Sequence, residues 1–559
     1  MTLSLNGVMH GMSVQANSNR IMAIPLILLA AMPASAQSDP ASLERTIPKF
    51  NAPPATDRLG VATPTLPPSV GARIASRFVL GAVNIDGATV FGSEELAQSY
   101  ESLLASEIGR AELDAIVARI TARYRQAGYF LSYASLPEQS VQSGIVGIRV
   151  VEGYVGDVRV EGSDRSTQAV QQIAKQLVND RPLRTATLER VLGLIRDLPG
   201  LTVVETRISR SPADPARHEL TIVLGSDPAR ALVYTDNRGT IDGARLRGYS
   251  SLSLASLVVP GDQLQLDLFA IPSRNFRFIY GQAKMSLPIG FDGLRLFAAH
   301  SRGAQYQRLD GPNQRGTSRQ STAEIVYPFV KSRSFSLVGH ASLSDIENAE
   351  RKAGSTIQHD RLNVARAWLE FANVGHARVD GRIGVSQGVS LGNITGKRDP
   401  LSSRLGASGR FTKFNVDAQL NAPLSEQFSV RIDTSAQYST EPLLAAEEFG
   451  LGGNRIGRAF DFNDMTGDHG FGVMLELSRR LGDYGHIKQL EIFTYVDGGA
   501  AFRNRRVADL PENQWLTGVG GGARLSLFGL SLSGEVGAPL VDRGNNHHLR
   551  AFASASKVF

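Results

Sequence analysis

The sequence of 559 residues contains no cysteine. Disulfide bonds, thiolate nucleophiles and cysteine-ligated zinc sites are therefore excluded. Repeated apolar runs of about 20 residues are also missing, which excludes a membrane protein built from several helices. No block of lysine and arginine marks a nucleic-acid surface, and the net charge is only +6. Glycine is abundant by contrast, with 56 residues, which favours turns and strands over a helical bundle.

One short apolar run lies near the N-terminus, at residues 21–32, between Arg20 and the small residues 34–36 (Ala-Ser-Ala). It is too short to cross a bilayer but has the length of a signal-peptide core. We therefore predict that residues 1–36 are a signal peptide and that the mature protein lies outside the cytoplasm. Residues 37–75 are rich in proline, which is typical of an extended linker.

The following region contains an internal repeat. The segment 81–87 (GAVNIDG) returns as 156–162 (GDVRVEG), and each copy closes with a strand-like segment, 147–153 and 219–225. Stripes with the i, i+3, i+4, i+7 spacing of amphipathic helices recur at the same offset: Leu113, Ile116, Val117 and Ile120, then Leu188, Val191, Leu192 and Ile195. We predict two β-α-α-β-β units, over residues 76–153 and 154–228.

These two units resemble POTRA domains, small periplasmic modules that precede the barrels of the outer-membrane assembly and secretion superfamily. The resemblance implies that an edge strand of a unit pairs with an extended segment of another protein. We predict the strands near 147–153 and 219–225 for this role.

Beyond residue 228 no helical stripe recurs, and the chain divides into short alternating segments separated by turns. We predict sixteen strands, because single-chain bacterial barrels have an even number. Their ranges are 230–237, 244–257, 262–271, 276–287, 293–306, 319–329, 335–345, 362–374, 377–390, 408–421, 428–439, 471–481, 490–502, 518–527, 530–540 and 548–559.

The gaps between these strands alternate in length. Even-numbered gaps such as 258–261 and 375–376 are short, whereas several odd-numbered gaps are long: 307–318, 346–361, 391–407 and 440–470. A transmembrane barrel with both ends in the periplasm has tight inner turns and long outer loops. We therefore predict an all-β transmembrane barrel of about sixteen antiparallel strands over residues 229–559, not a soluble sandwich.

Alternation along these strands assigns each side chain to lipid or lumen. Leu530 and Val536 share one face of their strand, while Ser531 and Glu535 share the other. The first pair is expected on the lipid side and the second in the lumen. The chain ends on Phe559, which resembles the C-terminal strand signal of outer-membrane barrels and implies recognition by the barrel assembly machinery.

Two short motifs stand out in the barrel region: residues 457–460 (Gly-Arg-Ala-Phe) in the longest gap, and residues 495–499 (Tyr-Val-Asp-Gly-Gly) two strands later. They resemble the superfamily's Val-Arg-Gly-aromatic loop, which folds into the barrel, and its aromatic-x-Asp-x-Gly strand. Arg458 and Phe460 match the loop motif. The residues that match the strand motif are Tyr495, Asp497 and Gly499.

The loop motif departs from the superfamily pattern at two positions. Gly457 replaces the usual valine, and Ala459 replaces the glycine. If that glycine takes a positive φ, alanine there costs roughly 1 kcal/mol.

Asp497 and Arg458 form the candidate transport site. Asp497 is expected in the lumen, since Val496 faces the opposite way. A lumenal carboxylate and a planar guanidinium can form a bidentate contact that holds a loop inside the pore. Glu476, on the lumenal face of the preceding strand, is a candidate second partner for Arg458.

Two POTRA-like units before such a barrel resemble the two-partner secretion transporters of the ShlB/FhaC/HecB family. The resemblance implies export of a large unfolded partner protein, bound by the POTRA domains, across the Gram-negative outer membrane without ATP. It also implies that residues 37–75 are a linker or a plug of the pore. The sequence predicts no enzyme activity, no cofactor, no metal site and no nucleic-acid partner.

Two other functions are compatible with a barrel of this kind. An insertase that folds other outer-membrane barrels is the main alternative, although such factors carry three or five POTRA modules instead of two. A passive porin is the other, and it would have no use for POTRA-like modules.

Overall fold

The computed structural model describes residues 77–139, 141, 144–162, 167–239, 245–308, 312–504, 513–541 and 548–559. The predicted signal peptide and proline-rich segment lie outside these residues. Among the described helices, none has both the length and the apolar character needed to cross a bilayer.

The first periplasmic unit has a three-stranded mixed sheet of order β2-β5-β4, in which β2 and β5 are parallel. Residues Leu113, Ile116 and Ile120 of its long helix are fully buried against the sheet residues Val146 and Ile148. Its elements are β1 (Phe78–Val79), β2 (Ala82–Asp86), α1 (Ser93–Ala97), a 3₁₀ turn (Glu101–Leu103), β3 (Glu107–Ile108), α2 (Arg110–Gln126), β4 (Tyr133–Ser135) and β5 (Ile145–Val151).

The second unit repeats this arrangement, with a sheet of order β6-β8-β7 and parallel pairing of β6 with β8. Its predicted helical stripe is buried, with Val191 and Ile195 inaccessible to solvent. Its elements are β6 (Tyr154–Glu161), α3 (Thr167–Asn179), α4 (Thr185–Arg196), β7 (Leu201–Arg210) and β8 (Arg217–Ser226).

The sheet order corrects our choice of edge strands. Segments 147–153 and 219–225 contribute to β5 and β8, which are the central strands of their sheets, so our prediction of these strands as open edges is wrong. Beyond the end of β4, the side-chain amide of Gln139 hydrogen-bonds both backbone groups of Gly147, at 2.7 and 2.8 Å. The edge strands are β2 and β4 in the first unit, and β6 and β7 in the second.

Sixteen antiparallel strands then close into a barrel, as predicted, through pairing of the last strand with the first. The barrel strands are β9 (Ala229–Asp236), β10 (Arg247–Ala255), β11 (Gln263–Ile271), β12 (Phe276–Ile289), β13 (Leu294–Gln307), β14 (Gln314–Lys331), β15 (Phe335–Lys352), β16 (Ser355–Val374), β17 (Arg378–Val389), β18 (Thr412–Pro423), β19 (Phe428–Ser439), β22 (His469–Tyr484), β23 (Ile487–Phe502), β24 (Asn513–Leu527), β25 (Leu530–Val541) and β26 (Arg550–Val558). Two short strands, β20 (Phe449–Leu451) and β21 (Met465–Gly467), lie between β19 and β22 and pair only with each other.

Side chains alternate between the two faces of the barrel wall. On β22, Val473 and Leu475 are exposed on the outside, whereas Met474 and Glu476 are almost fully buried inside. On β25, Val536 is exposed toward the lipid side. This alternation is what a wall between lipid and a filled lumen requires.

Two of the four long gaps are much shorter than predicted. The gap predicted at 346–361 belongs to β15 and β16, which run on to a turn at Ala353-Gly354 with φ of 52° and 84°. The hairpin stays regular because its inner face packs on outer loops: Leu362 lies in one buried cluster with Phe411 and Leu443. The gap predicted at 307–318 is likewise reduced to residues 308–313.

The second unit contacts the periplasmic turns of the barrel. The guanidinium of Arg190 in α4 donates to the carbonyls of Pro328 and Asp292, at 3.0 and 3.2 Å. Lys331 forms an ion pair of 2.6 Å with Asp197. These contacts attach the second unit to the periplasmic turns that flank β13 and β14.

Candidate functional site

The segment between β19 and β22, residues 440–468, folds back into the barrel, and we call it the lumenal loop. It contains a 3₁₀ turn (Ala445–Glu447) and the β20–β21 hairpin. Its apolar side chains join lumen-facing residues of β22 to β24 in one buried cluster: Phe449, Leu451, Ile456, Ala459, Phe460 and Met465 pack with Met474, Phe493, Tyr495, Ala501 and Leu516. Burial of apolar surface therefore attaches the loop to one side of the lumen.

The four motif residues form a tight turn at the tip of the loop. The backbone N–H of Phe460 donates to the carbonyl of Gly457 at 2.9 Å, and Gly457 has a φ of 79°. Ala459 is fully buried and does not take a positive φ. The backbone penalty that we considered for Ala459 does not arise, because the left-handed conformation belongs to Gly457.

Asp497 contacts the backbone of Arg458, not its side chain. The carboxylate Oδ2 of Asp497 accepts a hydrogen bond from the Arg458 backbone N–H at 2.8 Å, and both residues are buried. The predicted bidentate contact between the guanidinium and Asp497 is therefore wrong in its atoms. The reason is geometric: the turn directs the backbone N–H of residue 458 toward β23, while its side chain reaches carboxylates on β22 and β25.

The guanidinium of Arg458 instead bridges two other strands. Its Nη1 donates to Oε2 of Glu476 on β22 at 2.5 Å, and its Nη2 donates to Glu535 on β25. The guanidinium carbon also lies 4.0 Å from the ring centre of Tyr495. A planar cation can satisfy two carboxylates and stack on an aromatic ring at once, which a lysine cannot do.

The two carboxylates are each shared with another arginine. Arg524 of β24 donates to Glu476 at 2.6 Å and to Glu491 of β23 at 3.0 Å. Arg238, which follows β9, donates to Glu535 and to the backbone carbonyl of Arg458 at 3.0 Å. Three arginines and three glutamates thus alternate in one ion-pair network, which is neutral as a whole. We call it the arginine–glutamate network.

Glycines on the barrel wall leave space for the tip of the lumenal loop. A Cβ at Gly518 of β24 would lie 3.1 Å from both the Ala459 Cβ and the Asp497 Oδ1. A Cβ at Gly537 of β25 would lie 2.6 Å from the Tyr495 hydroxyl. At the motif glycine, Gly499, a Cβ would lie 2.6 Å from the Leu451 side chain in the loop. These glycines allow the close approach of loop and wall.

The tip is also held by strands that flank β22 to β25 in the barrel wall. Arg455 donates to Asp417 of β18 at 2.9 Å and to the backbone carbonyl of Thr434 of β19 at 3.0 Å. Arg550 of β26 donates to Asp461 at 2.8 Å. The lumenal loop therefore contacts a contiguous set of wall strands that runs from β18 to β26.

A second buried network joins the outer part of the lumenal loop to two neighbouring loops. Arg404, between β17 and β18, donates to Asp468 at 2.8 Å and to Glu448 at 3.1 Å. The backbone N–H of Asn504, after β23, donates to Asp468 at 2.7 Å. A single buried carboxylate thus connects three outer loops.

The structure brings all the predicted motif residues into one site, together with Glu476. It adds Glu535, Arg238 and Arg524, which the sequence reasoning missed as partners. Glu535 was assigned to the lumen from alternation, but no local pattern relates it to Arg458, which lies 77 residues earlier. In the described part of the chain, no group of acidic or histidine side chains has the arrangement of a metal site.

The fold and the site define a class: an outer-membrane barrel with an internal anchored loop and two periplasmic α/β units. Residues 223–525 match the family described as haemolysin secretion/activation protein ShlB/FhaC/HecB, and residues 78–153 match the POTRA domain of ShlB type. The chain belongs to the ShlB/FhaC/HecB family of two-partner secretion transporters. This is a family of transporters, not of enzymes, and its members export partner proteins across the outer membrane.

Similar proteins share most of the chain. The heme/hemopexin transporter protein HuxB of Haemophilus influenzae is 22% identical over 474 residues, which are 81% of this chain and 82% of HuxB. The outer membrane transporter CdiB of Escherichia coli O6:K15:H31 is 23% identical over 492 residues, 83% of this chain and 79% of CdiB.

Solved structures of CdiB share the fold. The structure from Escherichia coli has a TM-score of 0.74 at 20% identity and covers 90% of this chain and 94% of its own. The structure from Acinetobacter baumannii has a TM-score of 0.65 at 15% identity, with 92% and 96% covered. The predicted family, fold class, outer-membrane location and secretion function are confirmed.

Proposed function

We propose that the Arg458 turn holds the lumenal loop in the position that permits export of the partner protein. The observation that carries this proposal is the connection of one residue to three strands. The Arg458 backbone N–H contacts Asp497, and its guanidinium contacts Glu476 and Glu535. Removal of Glu476 or Glu535 leaves a buried charge unbalanced, which typically costs about 3–5 kcal/mol.

The other motif residues position the Arg458 turn. Gly457 provides the left-handed backbone of the turn, and Ala459 and Phe460 bury its apolar side against the wall. Tyr495 lies beneath the guanidinium, and Gly499 leaves space for the loop hairpin. These contacts together hold the Arg458 turn against the barrel wall.

Substitution of Arg458 by alanine tests the proposal. We expect the variant to insert into the outer membrane at the normal level and to lose most secretion of its partner. The matched control is Arg378→Ala, which removes a different barrel arginine, paired with Asp380 at 2.7 Å and distant in sequence from the loop contacts. Normal secretion by Arg458→Ala, or an equal loss in both variants, would refute the assigned role.

We further propose that the partner protein pairs with β7 in the second POTRA-like unit. This strand is ten residues long, and β8 is its only strand neighbour within the described residues. Val204, on this strand, is 64% exposed. An edge of this length offers unpaired backbone groups to an extended segment. Proline substitution of the exposed Thr202 should then reduce capture of the partner without affecting the barrel.

We also propose how the chain is divided into domains and how it matures. Residues 1–36 direct export to the periplasm, 37–75 form a linker or plug, 76–153 and 154–228 are the two POTRA-like domains, and 229–559 form the barrel. The terminal Phe559 is recognised by the barrel assembly machinery. Its deletion should lower the amount of barrel in the outer membrane, while leaving the periplasmic precursor detectable.

Deletion of the gene identifies the partner and distinguishes secretion from barrel insertion. The secreted and outer-membrane proteomes of the deletion strain are compared with those of the parent. We expect one large secreted or surface protein to disappear while other barrels keep their levels. A general fall of outer-membrane barrels would instead support the insertase.

A further inference from the structure

The outward face of β13 to β16 changes sharply from apolar to charged. Four register neighbours across these strands are apolar, and Leu343 is 44% exposed. These four are Ala298, Ala323, Leu343 and Ala365. The next outward-facing row along the strands is polar: His300, Ser321, Asp345 and Asn363. Such a transition marks the level at which lipid tails give way to headgroups.

The row above this boundary contains three arginines. Arg302 pairs in register with Arg319, Arg319 with Glu347, and Glu347 with Arg361. All three arginines are exposed, whereas the adjacent Ser301, Ser318 and Leu362 are buried on the lumenal side. We call Arg302, Arg319 and Arg361 the arginine row.

The charges in this row are not balanced. Glu347 contacts Arg319 at 3.0 Å and Arg361 at 3.2 Å, and Asp345 lies 3.5 Å from Arg319, so these two carboxylates serve two guanidiniums and leave none for Arg302. Arg302 has no ion pair with any residue that the structure describes. Neighbouring strands are about 4.8 Å apart, so Arg302 and Arg319 place two positive charges side by side. Like charges directly opposite each other are unfavourable unless an anion lies between them.

Further arginines extend the positive surface toward the hairpin tips. Arg315 and Arg351 are register partners, and Arg277 is the register partner of Tyr306. All three arginines are exposed. Among the described residues of β12 to β16, six outward arginines therefore stand against two outward carboxylates, Asp345 and Glu347, which gives a net charge of +4 for these groups.

We propose that the arginine row is a binding site for the phosphorylated sugar headgroup of the outer-leaflet glycolipid. Guanidinium groups bind phosphate through two parallel hydrogen bonds. The long hairpins lie on the extracellular side of such a barrel, so the row is at the height of the outer-leaflet headgroups. Basic clusters next to membrane-spanning segments bind anionic headgroups. This inference does not depend on the role of the lumenal loop.

Native mass spectrometry of the full-length protein tests the proposal. The protein is purified from outer membranes in mild detergent and titrated with diphosphorylated lipid A or with the same lipid A after phosphate removal. We expect binding of the phosphorylated form to be tighter by about tenfold or more, since each arginine near an anionic surface contributes to the affinity. Equal binding of both forms would overturn the proposal and identify the row as a solvated surface.

Substitutions in the arginine row test whether the phosphate groups bind there. Arg302→Ala/Arg319→Ala/Arg361→Ala should lose the preference for phosphate, whereas replacement of the same three residues by lysine should retain part of it. The control is Arg333→Ala, an exposed arginine in the turn between β14 and β15 at the opposite end of the barrel. Faster electrophoretic migration of the unheated protein shows that each barrel is folded. A triple alanine variant that folds and keeps the preference would place the phosphate site elsewhere.

Discussion

The carboxylate of Asp497 accepts a hydrogen bond from the backbone N–H of Arg458 at 2.8 Å, while the Arg458 guanidinium points to other partners. The two halves of Arg458 therefore have separate functions. The backbone contact fixes the turn against β23, and the side chain connects β22 with β25. A substitution at residue 458 that changes the side chain leaves the Asp497 contact available.

Substitutions of Asp497 should separate these two functions. Asparagine keeps an oxygen that accepts the Arg458 N–H, whereas alanine leaves a buried donor without a partner, at a cost of about 1–3 kcal/mol. We expect Asp497→Asn to secrete its partner better than Asp497→Ala. The measurement is the secreted fraction of the partner at matched transporter levels. If the two variants secrete equally poorly, the negative charge matters and the hydrogen bond does not.

The effect of removing one negative charge from the arginine–glutamate network should depend on which glutamate is replaced. Glu476 is 2% exposed as a side chain and serves both Arg458 and Arg524, so Glu476→Gln leaves the buried Arg458 and the partly exposed Arg524 short of a partner. We expect it to weaken the loop position by about 3–5 kcal/mol. Protease cleavage of the loop in intact cells and thermal unfolding of the purified protein measure the effect.

Glu491→Gln is the matched control for Glu476→Gln. Glu491 contacts only Arg524 among the network arginines and its side chain is 25% exposed, so the loss should be about 1 kcal/mol or less. The double variant Arg458→Ala/Glu476→Gln should be less impaired than the sum of the two single variants, because the residues interact directly. Strict additivity would show that the contact contributes nothing.

Alanine substitutions of two glycines on β25 should show whether secretion depends on the space that a glycine leaves for the loop or only on the stability of the strand. Alanine at Gly537 would place a methyl group 2.6 Å from the Tyr495 hydroxyl and 3.2 Å from Ala459, so the tip must move. Alanine at Gly534, on the same strand, meets no atom within 4 Å. We expect Gly537→Ala to reduce secretion and Gly534→Ala to secrete normally. The measurement is again the secreted fraction of the partner at matched transporter levels. Equal secretion by both variants would argue against close packing of the tip.

The first POTRA-like unit should lose stability in acid through Glu152. This carboxylate is partly desolvated, which opposes ionisation, but hydrogen bonds from Thr89, Val90 and Tyr124 outweigh that effect and hold the pKa of Glu152 below its usual value of 4.5. A lowered folded-state pKa adds stability above the unfolded pKa, and that stability is lost as pH falls through the folded value.

Hydrogen–deuterium exchange of the full-length protein measures this effect. Peptides covering residues 82–91 should exchange slowly near pH 6 and progressively lose protection below about pH 4.5, after correction for the intrinsic rate. In Glu152→Gln, the protection should be lower at neutral pH and should change less with pH. An unchanged pH profile in that variant would assign the acid sensitivity to another group.

Most of the fold could be predicted from the periodicity and local composition of the sequence. The helical stripes of the two units are buried as expected, and the sixteen predicted segments correspond to the sixteen barrel strands. Strand ends were less accurate, because residues 346–361 carry polar outward faces on both strands of a projecting hairpin. That hairpin is ordered by packing of Leu362 and its neighbours on distant loops, a contact that local periodicity does not reveal.

The sequence by itself determined the class of this protein. A period of two assigns Asp497, Glu476 and Glu535 to the lumen, and the repeat at a fixed offset defines the two periplasmic units. These features are local, since each depends on residues close together along the chain. The motif resemblance likewise identified Arg458 before any geometry was known.

Only the tertiary structure decided which groups meet. Strand order made β5 and β8 central and therefore unavailable as edges, and barrel closure brought Arg238 of the first hairpin to Glu535 of the fifteenth strand. The turn at Gly457 then directed the Arg458 N–H to Asp497 and its guanidinium to two glutamates. Partner choice in a lumen depends on strand register and on the direction of a turn, and a sequence pattern specifies neither of them.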